Sequence, residues 1–259
     1  MPKLAANLTT LFNERDFLDR FRAAADAGFT AVECQSPYAY DPLVLKRKLA
    51  EHGLVQVLHN MPAGDWAGGE RGIACLPDRV AEFEAGVDQA IGYAAALGCR
   101  QVNCLAGIRP PDLDVKDARA TFIRNLRYAA PRLKAAGMSL LIEPINTRDV
   151  PDFFLCHTSQ ALDVIEAVQA DSLFLQYDVY HMHIMEGDLA RTIERSATRI
   201  AHIQIADSPG RHEPGTGEID YPSLLAFLDR IGYAGWVGCE YVPTATTEAG
   251  LGWTRPYLA

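Results

Sequence analysis

Four oxygen-bearing side chains stand at the ends of four consecutive apolar runs: Glu143 closes "LLIEP", Asp178 closes "LFLQYD", Gln204 sits in "HIQIAD" and Glu240 ends "WVGCEY". A single acid in such a place usually caps the next helix or hydrogen-bonds a loop. Four in succession, three of them acidic, pose a different problem, because carboxylates buried together raise one another's pKa unless a cation lies between them. A divalent metal resolves that repulsion. A donor set made only of oxygens favours Mg²⁺ or Mn²⁺ over zinc, whose sites lean on histidine and cysteine. The chemistry open to such a group is polarisation of a substrate by a metal while a flanking carboxylate moves a proton.

Other chemistry-bearing residues lie near these ends. His181 and His183 follow Asp178 in "DVYHMHIM", which places His181 over the same pocket; its plainer reading is a loop histidine. His59 ends an apolar run in "VLHNMPAGDW" and is a candidate substrate contact, or otherwise a core histidine. Arg211 lies in "DSPGRHEPGTGE", a loop rich in glycine and proline that could fold over a ligand. Its forked donors suit a carboxylate, although solvated loop arginines are common. The "GTG" at 215–217 is a turn signal and no phosphate loop.

The elements that must hold these residues show in a phrase that occurs five times: a helical pattern ends at a glycine and an apolar β-branched run follows. The glycines are Gly28, Gly53, Gly98, Gly137 and Gly232, each where a left-handed turn out of a helix is expected. "LFLQYD", "IAHIQIAD" and the opening "KLAANL" supply three more strands, making eight, and apolar spacing predicts helices over 80–97, 116–136, 159–169, 187–197 and 221–231. Strict alternation of strand and helix argues for a parallel sheet covered by helices. Eight such units in 259 residues fit a closed (β/α)8 TIM barrel. An open dinucleotide-binding sheet would carry G-x-G-x-x-G after its first strand, and "AANLTTLFNE" has no glycine. No linker or charge block interrupts the series, so residues 1–259 read as one domain. In such barrels the chemistry gathers at the carboxyl ends of the strands, where all four oxygen donors fall.

Composition narrows the partners. With 24 basic and 33 acidic residues, the formal charge of −9 gives no pull towards nucleic acid or anionic lipid. No stretch approaches the roughly 18 apolar residues of a membrane span, and the opening "MPKLAANLTT" lacks the apolar core of a signal peptide, so a cytoplasmic protein is expected. The six cysteines are scattered with no C-x-x-C pair and read as reduced core residues. The sequence leaves a homo-oligomer open.

Six stretches, "LHNMPAGDWAGGERGIACLP" (58–77), "VNCLAG" (102–107), "LIEPIN" (141–146), "QYDVYHM" (176–182), "HIQIADSPGRHEPGTGEIDY" (202–221) and "GWVGCEY" (235–241), together resemble the hydroxypyruvate isomerase family. That family sits among the xylose isomerase-like barrel isomerases and epimerases, and the resemblance runs nearly end to end. Relatives acting on 2-oxo-tetronate share the barrel, the "HEP" loop and "GCEY"; "PAGDWAGGERGIA" and "LIEPIN" look more like the hydroxypyruvate enzymes. The resemblance implies interconversion of hydroxypyruvate and tartronate semialdehyde, with a small 2-oxo or hydroxy acid as substrate. It implies Glu143, Asp178, Gln204 and Glu240 at the metal positions, Glu143 and Glu240 as the proton-transfer pair, and His181 and Arg211 on the substrate. Two departures separate the chain from the sugar epimerases of the group. Gln204 stands where those usually place a histidine, and Asp149 where they carry a substrate-binding glutamate, which disfavours long-chain ketoses.

Three other activities use related residues. A glycoside hydrolase would use two strand-end carboxylates without metal. A metal-dependent nuclease would need a basic groove and several histidine ligands. A binding module would hold a hydroxy acid without turning it over.

Overall fold

Eight parallel strands close on themselves in chain order, the first pairing with both the second and the eighth. The computed structural model describes residues 1–258. The strands are β1 (Lys3–Asn7), β2 (Ala31–Cys34), β3 (Val55–Asn60), β4 (Gln101–Cys104), β5 (Ser139–Ile142), β6 (Leu173–Asp178), β7 (Ile200–Ile205) and β8 (Trp236–Cys239). The helices that cover them are α1 (Phe17–Asp26), α2 (Pro42–His52), α3 (Val80–Leu97), α4 (Val115–Ala135), α5 (Thr158–Val168), α6 (Val179–Met185), α7 (Leu189–Ser196) and α8 (Tyr221–Arg230). This is the expected (β/α)8 barrel. The five turn glycines have φ between 64° and 94°, a region that costs a side chain energy, and each releases its helix into the next strand.

One element differs from the expectation. Residues 179–185, a loop on the sequence reading, form the short helix α6 ahead of α7. The Asp178 side chain caps it, Oδ1 accepting from the Tyr180 and His181 amides at 2.8 and 3.2 Å. The periodic signal is missing because a seven-residue helix spans only two turns.

Apolar residues fill two spaces. The larger core lies between strands and helices and includes Phe21, Phe122, Leu126, Leu133, Tyr177 and Tyr221. A small separate cluster of Ala5, Ala31, Val57, Leu58 and Leu141, with Phe174, Ala201 and Trp236 against it, plugs the inside of the barrel. Side chains alternate along each strand, so the next inward positions after this plug carry polar groups: Asn7, Glu33, Asn103 and His202 are all fully or almost fully buried. All six cysteines are free thiols, and all but Cys156 are buried. Among the described residues no helix is long and apolar enough to cross a membrane.

Gly238 shows how closely the interior is fitted. It pairs with Gln204 and Ala5, and a Cβ there would run into the carboxyl of Glu33. Gly238→Ala should therefore cost about 1–3 kcal/mol through forced displacement of the buried Glu33 side chain, read as a lower denaturant midpoint at unchanged slope. An unchanged midpoint would show that the Glu33 side chain has room to move.

Candidate active site

Three strands of the second half of the barrel raise their polar ends to one level. Asp178 pairs with Gln204, and Gln204 with Gly238, two residues before Glu240. Glu143 follows β5 by one residue. Glu143, Gln204, Glu240, His181 and Arg211 line one chamber of about 100 Å³ at the carboxyl end of the strands. Asp178 lies beside it, its Oδ2 3.7 Å from Arg211 Nη2. Apart from His59, every residue singled out from sequence as a ligand, base or substrate contact meets here.

His59 is the exception. It is fully buried, its Nδ1 3.0 Å from the Asn60 carbonyl and 3.3 Å from the Tyr38 hydroxyl, with its ring edge-on to Tyr38. Tyr38 packs in turn on Tyr93 of α3, so His59 faces the helix layer. The neighbouring Asn60 points inward instead, because successive side chains on a strand face opposite ways. The expected substrate contact at His59 is thus a core histidine, and burial pulls its pKa down to about 4 from 6.5. On unfolding it regains an ordinary pKa and takes up a proton below pH 6.5, so its contribution to stability is complete above pH 6.5 and lost as pH falls towards 4. At pH 5 this amounts to on the order of 2 kcal/mol. His59→Gln should show a smaller drop in Tm between pH 7 and pH 5 than the parent; equal drops would remove His59 from the account.

The carboxylates are held by amides from the first half of the barrel. Asn103 Nδ2 donates to Glu143 Oε2 at 2.8 Å, and Gln35 Nε2 donates to Glu240 Oε1 at 2.5 Å. Arg211 Nη2 reaches Glu240 Oε2 at 3.2 Å. Arg211 has a left-handed backbone, φ 57°, in a loop pinned by the Asp207 carboxylate, which accepts from the Ser208, Gly215 and Ile219 amides. Below this level Gln176 Nε2 donates to Gln204 Oε1 at 2.6 Å, and Gln204 Nε2 donates to Glu33 Oε1 at 2.8 Å. Glu33 also accepts from Asn7 at 2.9 Å, and His202 Nε2 sits 2.6 Å from its other oxygen without hydrogen-bond alignment. Gln35, Asn60, Asn103, Gln176 and Glu33 were not singled out as candidates from sequence. An acid inside the apolar run "TAVEC" is the signal that could have found Glu33.

Electrostatics follow from this crowding. Burial first, then Glu240 and Asp178, push the Glu143 pKa well above 4.5. Burial raises Glu240 to about 7 against the pull of Arg211. His181 is lowered to about 4, chiefly by burial, and is neutral at pH 7. Its Nδ1 lies 2.6 Å from Asn146 Nδ2, a donor, which assigns the ring proton to Nε2.

Glu143, Asp178 and His181 bring ligand atoms within 4.8 Å of one another; with the His181 lone pair on Asn146, the two carboxylates are the pair of this group open to a divalent cation. The fit is supported by Asp178 Oδ2, a fully buried carboxylate oxygen with no hydrogen-bond partner. Native proteins rarely leave such an atom unsatisfied unless it serves an ion or ligand.

The chain matches the family model described as xylose isomerase-like TIM barrel over residues 21–257. The chain belongs to that family. Within it, the chain is 52% identical to the hydroxypyruvate isomerase of Escherichia coli over 99% of this chain and 100% of that protein. It is 48% identical to a 2-oxo-tetronate isomerase of Cupriavidus necator over 100% of this chain and 99% of that protein. A crystal structure described as AP endonuclease, family 2, from Brucella melitensis superposes with a TM-score of 0.98 at 49% identity, covering 100% of both chains.

Proposed function

We propose that this chain is a hydroxypyruvate isomerase, interconverting hydroxypyruvate and tartronate semialdehyde through an enediolate. The observation that carries the reading is the meeting of Glu143, Asp178, Gln204 and Glu240 at one barrel mouth, together with full-length identity of 52% to an enzyme of that name. Glu143, Asp178, Gln204 and Glu240 would hold the cation, Mg²⁺ or Mn²⁺, which when bound supplies a Lewis acid beside the two oxygens that gain charge. Gln204 Oε1 accepts from Gln176 with one lone pair and has a second to offer, while its own amide stays on Glu33.

Glu143 and Glu240 carry the proton. Removing a proton from C3 of hydroxypyruvate and returning one at C2 needs a base and an acid on either side of a planar intermediate, and these two carboxyls stand on strands three places apart around the barrel. Asn103 fixes one oxygen of Glu143 and leaves the other to the substrate, while Gln35 and Arg211 each fix one oxygen of Glu240. A carboxylate held at the reacting carbon can take a proton from one carbon and, as the acid, return one to its neighbour. His181, with Nε2–H free of Asn146, donates to a substrate oxygen, and Arg211 balances the carboxylates Asp178 and Glu240.

A nuclease is disfavoured by the formal charge of −9 and by a chamber of only about 100 Å³, despite the description of the Brucella structure. A second reading as a 2-oxo-tetronate isomerase draws support from a neighbouring cavity of about 260 Å³, which shares Gln35, Asn60 and Trp66 with the site and could take a fourth carbon. Side-by-side turnover of hydroxypyruvate and 2-oxo-tetronate separates them: kcat/KM should be higher for hydroxypyruvate, and a clear preference for the four-carbon acid would transfer the assignment to the second reading. Salt-sensitive binding to DNA would revive the nuclease.

A further inference from the structure

The chamber that holds the proton-transfer pair has a second arginine in its wall, and its charge is unspent. Arg71 lines the same space as Glu143, Glu240 and Arg211. Its guanidinium lies over the Trp66 ring, 4.0 Å from the centroid. Nη1 donates to the backbone carbonyls of Trp66 and Glu70 at 3.1 and 2.7 Å. Among the described residues, no carboxylate lies within salt-bridge distance of Arg71, and Nε and Nη2 have no protein acceptor. Its sequence neighbour Glu70 is turned away and engaged by Arg79 and by the Asp65 amide.

Arg211 is in the opposite condition. It faces Asp178 at 3.7 Å and Glu240 at 3.2 Å, so its charge is already matched by the protein's own acids. With Arg211 and the proposed divalent cation matched by Glu143, Asp178 and Glu240, Arg71 is the cation left over for an entering substrate carboxylate.

The position of Arg71 is built. The loop from Ala63 to Gly72 is closed by the Gly72 amide donating to Ala63 at 2.9 Å and the Glu70 amide donating to Asp65 at 3.0 Å. Gly72, at φ 103°, lies so close to Leu105 that a Cβ would strike its carbonyl, and it bridges to Ala106. Buried Asn125 on α4 holds the Ala74 carbonyl at 2.9 Å. The guanidinium is therefore aimed before substrate arrives, with Trp66 fixing its plane.

We propose that Arg71 binds the carboxylate of the substrate through its Nε and Nη2 edge and so selects 2-oxo acids over neutral ketoses of the same length. This inference rests on the isomerase reading, in which the substrate carries that carboxylate.

The test compares Arg71→Gln and Arg71→Lys with the parent on hydroxypyruvate and on dihydroxyacetone with glyceraldehyde, the neutral pair in which CH₂OH replaces the carboxylate. For Arg71→Gln, kcat/KM on hydroxypyruvate should fall on the order of 100-fold, most of it in KM, while the neutral pair changes by less than about threefold. Arg71→Lys should recover part of the loss, because it keeps the charge without the fork. Calorimetric titration with tartronate should show binding to Arg71→Gln weaker by about tenfold or more. Equal losses on the charged and neutral substrates, or tartronate bound as tightly by the variant as by the parent, would overturn the proposal. If the parent turns over neither substrate, the isomerase reading is what fails, and the tartronate titration alone decides the role of Arg71.

Discussion

Glu143→Gln and Glu240→Gln should each lower kcat on hydroxypyruvate by about 10³-fold or more, while the folded chain unfolds no earlier than the parent in the case of Glu143→Gln. Glutamine keeps the shape, and at position 143 its carbonyl oxygen can still accept from Asn103. What it removes is a carboxyl that burial and two neighbouring acids already hold well above its ordinary pKa. In the metal-free chain that carboxyl is a source of repulsion, so its loss relieves the fold as it disables the chemistry, the usual trade at an active site. Glu240→Gln differs, because Arg211 then keeps only Asp178 as a carboxylate partner at 3.7 Å. A lower Tm is expected there, with the same loss of turnover. Steady-state kinetics and thermal unfolding of the two variants read both effects. Turnover within tenfold of the parent in both would reject their assignment as the proton-transfer pair.

The second large effect comes from the cation. Dialysis against EDTA should remove turnover, and Mg²⁺ or Mn²⁺ should restore it. Binding to the folded chain alone stabilises it by about 2.7 kcal/mol at a free metal concentration one hundred times Kd, equivalent to roughly 5–10 °C in Tm for a chain of this length. Asp178→Asn should abolish most of that Tm rise, because among the expected ligands of the described residues Asp178 offers the buried carboxylate oxygen that has no hydrogen-bond partner. Its Oδ1 caps α6, and an asparagine can still accept there, so the helix is kept. Thermal scans with and without metal on the parent and variant separate ligand loss from misfolding. A glycosidase using two carboxylates alone would keep its activity through chelation.

The fold was readable because its signals are local and repeated. The glycine-to-strand phrase marks five turns, and the parallel order follows from alternation. The acidic half of the site was readable for a related reason: a carboxylate at the end of an apolar strand is costly to bury, so Glu143, Asp178 and Glu240 stand out against their neighbours. The amide half was not. Gln35, Asn60 and Asn103 also lie at or within a residue of strand ends, but a neutral amide is cheap to satisfy by a neighbour and carries no charge anomaly to flag it. His59 misled because a strand-end position alone does not say which face a side chain takes. The β2–β3 pairing shifts register between Val32 and Glu33, and Leu58 joins the interior cluster while His59 turns out to Tyr38. Asp178 answers to both readings of a strand-end acid, with one oxygen capping α6 and the other free in the site. Arg71 carries no signal in the sequence, since only the folded loop shows that its neighbour Glu70 is drawn to Arg79.

The most direct measurement is deuterium incorporation at C3 of hydroxypyruvate in D₂O, followed by NMR with the parent chain before and after chelation. Exchange well above the enzyme-free rate is expected with Mg²⁺ or Mn²⁺ present, and a return to that rate once the metal is stripped. Exchange that continues undiminished in the metal-free chain would contradict metal-assisted proton transfer.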